Sequence, residues 1–317
     1  MEKFVHWLQG YNEKEKYFLL TGFKFGSNIP YVGKREYRYS KNLKSANENP
    51  DILREFFFKE VKAGRVDGPF DVPPFSNLQI SPLGLVPKKK IGEYRVIHHL
   101  SYPDQLSVID GIPQDMCTVQ YQTIDDAVSL LKFHGKGSLM SKTDLETSYR
   151  LVPINEKDHE LLGFTVDGTF YYDKTLPMGL SYSCNLFEKF STSIHWLVDH
   201  KLESAGCVPV LDDFLFVGPP NSDLCHKTLF QFLDMAQYIG IPIKDEKTVF
   251  PTTKILFLGL ELDSIEMEIR LPDDKLCKLR DKLKYFQNKK KSTLQELVFD
   301  RASQLCICSS STRKGLS

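Results

Sequence analysis

Two adjacent aspartates lie in the middle of an otherwise apolar stretch, VPVLDDFLFVG (residues 208–218). The apolar flanks predict a tight hairpin with Asp212 and Asp213 at its tip. Aspartate is common in turns, so a purely structural turn is one explanation. Two neighbouring negative charges repel each other, however, and a turn with no other duty would favour Asn-Gly. A bound divalent cation would remove this repulsion, and the hairpin is therefore a candidate metal site.

A third aspartate, Asp144, stands near the end of the predicted strand SLMSKTDL (residues 138–145). If this strand neighbours the hairpin in one sheet, Asp144 lies close to Asp212. Carboxylate oxygens suit Mg²⁺. Two such ions commonly catalyse phosphoryl transfer to a hydroxyl, one at the attacking oxygen and one at the leaving oxygen. The sequence thus predicts a centre in which Asp144, Asp212 and Asp213 hold two Mg²⁺ ions, with Mn²⁺ as an alternative.

The segments around these aspartates predict an α+β unit. From Gly137 onward the order is strand, helix, hairpin, helix, strand, which is typical of a ferredoxin-like antiparallel sheet with helices on one face. The predicted helices are GLSYSCNLFEKFSTSIHWLVDH (179–200) and LCHKTLFQFLDMAQYIG (224–240), and ILFLGLELDS (255–264) is the predicted closing strand. In this order the first strand and the hairpin are neighbours.

Upstream, apolar spacing predicts a helix over DILREFFFKEVKAG (51–64). Three prolines and a glycine are expected to keep GPFDVPPF (68–75) free of regular structure. The apolar runs 83–86 and 94–100 then predict a hairpin whose tip carries lysines 88–90. TIDDAVSLLKF (123–133) predicts a helix with Thr123 as its N-cap.

Composition limits the function classes. The formal charges cancel, with 41 basic and 41 acidic residues, so any nucleic-acid surface must be local, and the lysine runs 88–90 and 289–291 are candidates. The seven cysteines include no C-x-x-C pair, which predicts reduced residues that mostly fill the core. No membrane-length apolar run or secretory signal is present, so we expect no membrane partner and a cytoplasmic or nuclear protein.

Five segments occur in the order of the palm motifs of reverse transcriptases: KTDLETSY, LPMGLSYSCNLFEKF, VLDDFLFVG, IPIKDEKT and FLGLELDS. The stretch from about residue 64 to residue 279 resembles the polymerases of DIRS-type (tyrosine-recombinase) retrotransposons. NLKSANENP and SPLGLVPKKKIGEYRVIHHLSYP are also similar to the upstream segments of these polymerases. The resemblance implies the fingers and palm of a right-hand polymerase. It also implies an RNA-directed DNA polymerase, a nucleotidyltransferase that extends a primer on an RNA or DNA template with dNTPs.

The same resemblance implies residue roles. Asp144, Asp212 and Asp213 match the catalytic, metal-binding aspartates. For the incoming nucleotide, Lys88 or Lys89, with Arg95, match fingers residues that grip the triphosphate, and Tyr149 matches the steric gate against a 2′-hydroxyl. Gly179 matches a glycine that lets the backbone approach the nascent base pair, and Lys247 matches a lysine near the departing pyrophosphate. The primer grip is matched by Phe257, Leu258 and Gly259.

Each of the weaker matches has a structural alternative. Taken in isolation, Tyr149 is better explained as a core aromatic and Lys247 as a surface lysine. For Gly179, an ordinary strand-to-helix turn is as good an explanation as the functional one. The primer-grip residues are explained by an apolar strand without a function.

The resemblance divides the chain into an N-terminal extension with a lead-in helix (1–67), a reverse transcriptase domain (68–265) and the start of a truncated thumb or connection (266–317). The last part begins with a predicted helix, DDKLCKLRDKLKYFQ (273–287), and its tail after about residue 297 is expected to be disordered. No second acidic cluster follows, so we expect no ribonuclease H activity.

A rival hypothesis is a catalytically inactive, truncated retroelement copy that at most binds nucleic acid. Val210 stands where the family usually has an aromatic residue, and Pro209 is unusual for a central strand. A two-metal nuclease is a weaker third hypothesis, because the triphosphate-gripping hairpin would then have no purpose.

Overall fold

The computed structural model describes residues 1–287, apart from Lys89 and Ile91, and the backbone of Lys314–Gly315. Its helices are α1 (Glu2–Trp7), α2 (Glu13–Phe25), α3 (Lys44–Asn47), α4 (Pro50–Lys62), α5 (Ile124–His134), α6 (Ser183–Lys201), α7 (Leu224–Ile239) and α8 (Asp273–Gln287). Short 3₁₀ turns cover Ile109–Gly111, Gln114–Cys117, Ser148–Leu151, Glu156–Leu161 and Asp245–Lys247.

The strands are β1 (Arg38–Tyr39), β2 (Val66–Phe70), β3 (Gln79–Ile80), β4 (Leu83–Pro87), β5 (Tyr94–His98), β6 (Leu139–Asp144), β7 (Gly163–Val166), β8 (Thr169–Asp173), β9 (Cys207–Val210), β10 (Asp213–Gly218), β11 (Val249–Thr252), β12 (Lys254–Phe257), β13 (Leu260–Asp263), β14 (Glu268–Arg270) and β15 (Lys314–Gly315). The chain forms two compact units. The first unit contains the described residues of 1–121 and 147–194, and the second contains 122–146 and the described residues from 195 onward.

In the first unit, a five-stranded sheet has the order β1-β3-β7-β8-β2, and β4 and β5 form a separate hairpin. Helix α4 buries Leu53 and Phe57 in a core that also contains Leu83 of β4 and Phe164 of β7. The predicted helix and the predicted hairpin are both confirmed. The helices α1, α2 and α3 had no clear periodicity and were not predicted from the sequence.

The expectation that GPFDVPPF lacks regular structure is wrong for its first three residues, which belong to β2. Strand β2 lies at the edge of the five-stranded sheet, and its pairing with β8 shifts register between Asp67 and Phe70. A proline at an edge or a bulge removes no necessary ladder hydrogen bond, so Pro69 is compatible with the strand.

In the second unit, four antiparallel strands have the order β11-β6-β10-β9, the order of a ferredoxin-like sheet. Phe214 and Phe216 of β10 pack against Phe232 of α7. Their neighbours Leu215 and Val217 join a core with α5, β12 and β13. Side chains alternate along a strand, so α7 and α5 cover opposite faces of the sheet. The predicted α+β unit is present, with α5 as a helix on the second face.

The prediction that ILFLGLELDS forms a single closing strand is wrong. This segment is split into β12 and β13, which pair with each other, while β11 fills the closing position beside β6. The chain reverses at Leu258 and Gly259, which have φ values of 47° and 80°. The apolar run carries no local signal for this turn apart from the glycine.

The predicted N-cap of α5 is confirmed, and the observed position of Pro209 removes one objection to an active protein. Thr123 caps α5 in a reciprocal capping box with Asp126. Pro209, expected to be awkward in a central strand, lies in β9, which pairs with β10 at the edge of the described four-stranded sheet. An edge strand tolerates proline, so this objection to an active protein does not hold.

Among the described cysteines no disulfide forms; Cys207 and Cys225 are buried as predicted, whereas Cys277 is exposed. The described residues do not include lysines 289–291, Cys306, Cys308 or the tail that is predicted to be disordered. Among the described residues, no helix has both the length and the apolar character needed to cross a bilayer.

Candidate active site

The three aspartates meet at one end of β6 and β10, the two central strands of the second-unit sheet. Asp144 is the last residue of β6 and faces Asp213, the first residue of β10, as a direct antiparallel partner. Asp212 precedes it in the hairpin turn, and its carbonyl oxygen accepts a hydrogen bond from the Leu145 amide at 2.9 Å. The predicted proximity of the strand end and the hairpin is confirmed.

The hairpin turn is strained. Leu211 has a φ of 56°, which is unfavourable for a bulky side chain with a Cβ atom. Strained backbone of this kind is concentrated at functional sites, where it aims neighbouring side chains. Here it orients the turn that carries Asp212.

The pKa values of two of these carboxyl groups, Asp212 and Asp213, are raised. Burial, followed by the charge of Asp144, raises the pKa of Asp212. Burial and the charges of Asp144 and Asp212 raise the pKa of Asp213 to about 6. These carboxylates are destabilised as a group of like charges, and a cation would relieve that repulsion.

Lys247 supplies one such cation. Its Nζ lies 2.5 Å from Oδ2 of Asp144, which is 5% exposed. Burial opposes the charged form of Lys247, but the hydrogen bond to Asp144 and the nearby aspartates outweigh burial, so its pKa is raised. The alternative of an uninvolved surface lysine does not fit this contact, although about half of the side chain is exposed.

No group of three metal-binding side chains is preassembled anywhere in the described part of the chain. At this end of β6 the Lys247 ammonium donates a hydrogen bond to one carboxylate oxygen of Asp144. The donor set nevertheless suits Mg²⁺, because it consists of carboxylate oxygens on adjacent strand ends whose mutual repulsion favours a bound cation.

In the first unit, Lys88 and Arg95 lie on the β4–β5 hairpin, where Arg95 pairs with Val86. Both line a cavity of about 350 Å³. Lys88 also lies 3.7 Å from Glu93. Lys89 falls outside the described residues, so its predicted role stays a prediction.

Tyr149 lies in the 3₁₀ turn after β6 and is partly buried. Its ring packs 5.1 Å from the Phe187 ring, and its hydroxyl lies 3.3 Å from Sγ of Cys184. Both contacts are made with residues of α6 and fix the orientation of the Tyr149 ring. They are compatible with a steric gate and with a core aromatic.

Gly179 has a φ of 115°, and a Cβ atom added there would lie 2.4 Å from the carbonyl oxygen of His98. A side chain is therefore excluded by backbone conformation and by close backbone packing. An ordinary strand-to-helix turn does not require such an approach.

We expect Gly179→Ala to lower stability and activity together. Positive φ costs an L-residue about 1–2 kcal/mol, and the overlap with backbone adds roughly 1–3 kcal/mol. Gly168→Ala is the matched control, because Gly168 has a φ of 83° and an added Cβ meets nothing within 4 Å. Urea unfolding of both variants measures the difference, and equal losses would contradict the close approach.

The predicted primer-grip residues form the tip of the β12–β13 hairpin. Phe257 is buried, whereas Leu258 is 38% exposed. Lys275 of α8 donates a hydrogen bond to the Gly259 carbonyl oxygen at 2.8 Å. Leu258 and Gly259 thus form an exposed hairpin turn, and not part of a continuous apolar strand.

Sequence reasoning missed a buried charge cluster in the first unit formed by Glu60, Arg150, Asp173 and His98. These residues are far apart in sequence and belong to no shared motif, so no pattern marked them.

A ferredoxin-like sheet with paired carboxylates at the ends of its central strands is typical of the palm of nucleotidyl-transferring polymerases. Comparison with known proteins identifies the family. Residues 86–262 match the profile of the family "Reverse transcriptase (RNA-dependent DNA polymerase)". The match covers more than half of the chain, so the chain belongs to the reverse transcriptase family.

The chain is similar to the retrovirus-related Pol polyprotein from transposon 412 of Drosophila melanogaster, with 22% identity over 242 residues, 75% of this chain and 18% of that polyprotein. It thus spans about a fifth of the length of this relative.

Two solved structures are also similar. A foamy viral protease-reverse transcriptase dRH in complex with double-stranded DNA has a TM-score of 0.65 at 19% identity, over 96% of this chain and 52% of that chain. A foamy viral protease-reverse transcriptase with an RNA/DNA hybrid has a TM-score of 0.64 at 17% identity, over 96% of this chain and 40% of that chain. The predicted fingers-and-palm fold is confirmed.

Proposed function

We propose that this chain is an RNA-directed DNA polymerase that extends a primer with dNTPs, with Asp144, Asp212 and Asp213 as its catalytic residues. The observation that carries the proposal is the direct pairing of Asp144 with Asp213 on adjacent strands, one residue from Asp212. The raised pKa values of Asp212 and Asp213 support it, because a structural turn gains nothing from clustered like charges.

The three carboxylates would hold two Mg²⁺ ions, which, when bound, supply activation of the primer hydroxyl and charge neutralisation at the leaving oxygen. Lys247 would leave Asp144 and hold a proton near the departing pyrophosphate. A lysine ammonium at that position stabilises developing negative charge or donates a proton.

Substrate contacts are proposed for the residues of the first unit. Lys88 or Lys89, with Arg95, would grip the triphosphate, since lysine and arginine donors suit phosphate oxygens. Tyr149 would exclude the 2′-hydroxyl. Gly179 would allow backbone to approach the nascent base pair. In the second unit, Phe257, Leu258 and Gly259 would grip the primer through the exposed hairpin tip.

The proposed partners are a template strand of RNA or DNA, a primer and dNTPs. The complexes of the foamy viral enzymes with double-stranded DNA and with an RNA/DNA hybrid support a nucleic-acid duplex as the ligand. The finer proposal, a DIRS-type retroelement as the source, rests on the resemblance of the segments between residues 64 and 279.

Primer extension on poly(rA)/oligo(dT), with dTTP and Mg²⁺ or Mn²⁺, tests the proposal. We expect product in the presence of either metal and none after chelation by EDTA. A folded protein that extends no primer with either metal, and that still binds the duplex, would indicate the inactive retroelement copy instead.

A further inference from the structure

The first unit contains a buried charge cluster that is formed by Glu60 of α4, His98 of β5, Arg150 of the 3₁₀ turn Ser148–Leu151 and Asp173 of β8. Arg65 also contacts this cluster through Glu60. The side chains of Glu60, His98, Arg150 and Asp173 are 9%, 6%, 13% and 5% exposed. Such burial of four ionisable groups is unusual unless every charge is paired.

Arg150 is the centre of the cluster. Its guanidinium lies 2.7 Å from Oδ1 of Asp173 and 3.1 Å from Oε2 of Glu60. The other oxygen of Asp173 lies 2.9 Å from Nδ1 of His98, whose Nε2 is 3.2 Å from the Gly163 carbonyl oxygen. Arg65 donates hydrogen bonds to both carboxylate oxygens of Glu60, at 2.6 Å to Oε1 and 2.9 Å to Oε2.

Both carboxylates of the cluster are ionised. Burial raises the pKa of Asp173, but Arg150 and His98 lower it further, and the result is below the ordinary value. Burial likewise opposes ionisation of Glu60, and its hydrogen bond with Arg65 and the charge of Arg150 lower its pKa overall. The contacts of Arg150 with Asp173, and of Arg65 and Arg150 with Glu60, are therefore ion pairs.

Stability is a weak explanation for this cluster. Desolvation of buried charges costs about as much as their attraction returns, and apolar residues of similar volume often serve as well or better. The cluster instead lies on the wall of the 350 Å³ cavity, because Glu60, His98, Arg150 and Asp173 all line it together with Arg95.

Residues of the cluster lie close in the chain to residues proposed to bind the substrate, or are in backbone contact with them. Arg150 directly follows Tyr149 in the chain, and His98 lies three residues after Arg95 on β5. The carbonyl oxygen of His98 is the atom that approaches Gly179. Arg150 therefore connects the backbone segments that carry Tyr149, Arg95 and Gly179.

We propose that Arg150, acting through Asp173 and His98, is a positioning residue that holds Arg95, Tyr149 and Gly179 in the arrangement needed to bind an incoming dNTP. This inference rests on the proposed function. Arg150 need not touch the nucleotide, because displacement of a binding group by about 1 Å can reduce rates roughly a hundredfold.

Arg150→Met tests the proposal, since methionine keeps an unbranched stem and removes the guanidinium. We expect kcat/KM for dNTP in single-nucleotide extension to fall by about thirtyfold, mainly through KM. Arg150→Lys keeps the charge but loses the two-pronged geometry, so it should give an intermediate loss of a few-fold.

The matched control is Arg35→Met. Arg35 also belongs to the first unit and pairs with a fully buried carboxylate, Asp158, at 2.6 Å and with Glu160 at 2.9 Å. Its removal should lower the melting temperature comparably while KM for dNTP changes less than about threefold. An equal rise of KM in both variants would reduce Arg150 to a general stability role and overturn the proposal.

Hydrogen exchange supplies a readout that does not depend on catalysis. Peptides covering residues 94–98 and 174–180 should exchange at least about tenfold faster in Arg150→Met than in Arg35→Met. Unchanged exchange overturns the positioning role even if the enzyme is active. If the wild-type protein extends no primer, the proposed function fails, and the exchange result still decides whether Arg150 holds these segments. If Arg150→Met does not fold, the same comparison is made with Arg150→Lys.

Discussion

Asp213→Asn is expected to abolish primer extension while leaving the protein folded and at least as stable. The substitution removes a carboxylate whose pKa is raised to about 6 by burial and by Asp144 and Asp212. Loss of a metal-holding group should lower kcat by at least about a thousandfold. Loss of a repelling charge should leave the melting temperature unchanged or raise it.

Asp144→Asn should abolish activity equally but without the gain in stability, because it also removes the 2.5 Å ion pair with Lys247. Asp234→Asn, which neutralises an exposed acid on α7, controls for the change of net charge and should extend primers normally. Near wild-type extension by Asp213→Asn or Asp144→Asn, from protein free of wild-type contamination, would exclude these carboxylates from catalysis.

Tyr149→Ala is expected to raise the use of ribonucleotides relative to deoxyribonucleotides by at least about an order of magnitude. A flat ring at this position would fill the space of a 2′-hydroxyl, and its removal would open that space. A core aromatic behaves differently, since truncation costs roughly 3–5 kcal/mol of stability and leaves sugar preference unchanged. Single-nucleotide extension with rNTP and dNTP, beside thermal melts, separates these explanations.

Tyr149→Phe is the matched control for the ring. It removes the hydroxyl that lies 3.3 Å from Sγ of Cys184 and keeps the packing against Phe187. We expect it to retain the wild-type sugar preference. If Tyr149→Ala leaves the rNTP/dNTP ratio unchanged and lowers the melting temperature strongly, Tyr149 is a core residue.

Local patterns in the sequence predicted many of the elements and the candidate metal ligands. Apolar flanks around Asp212 and Asp213 predict a hairpin from neighbouring residues alone, and Thr123 marks the start of α5 by the same local chemistry. The order of strands and helices then predicts that β6 neighbours β10. These inferences succeed because they depend on contacts within a few residues or on the limited topologies of small sheets.

Edge positions could not be read from the same patterns. Pro69 and Pro209 argue against strands by propensity, yet both lie in edge strands, where an absent amide hydrogen leaves the ladder intact. Whether a strand is central or peripheral depends on which other strands pair with it. Likewise, apart from Gly259, no local pattern indicates that residues 255–264 reverse direction at Leu258, and the turn is evident only from the pairing of β12 with β13.

By itself, the sequence determined the membership in the reverse transcriptase family and the residues that supply the clustered carboxylates. Only the tertiary structure decided the register that pairs Asp144 with Asp213, the ion pair of Lys247 with Asp144, and the buried cluster around Arg150. Residue type and spacing report the chemistry that a chain carries. Partners more than twenty residues apart are chosen by packing and by the need to compensate buried charge, which no local pattern encodes.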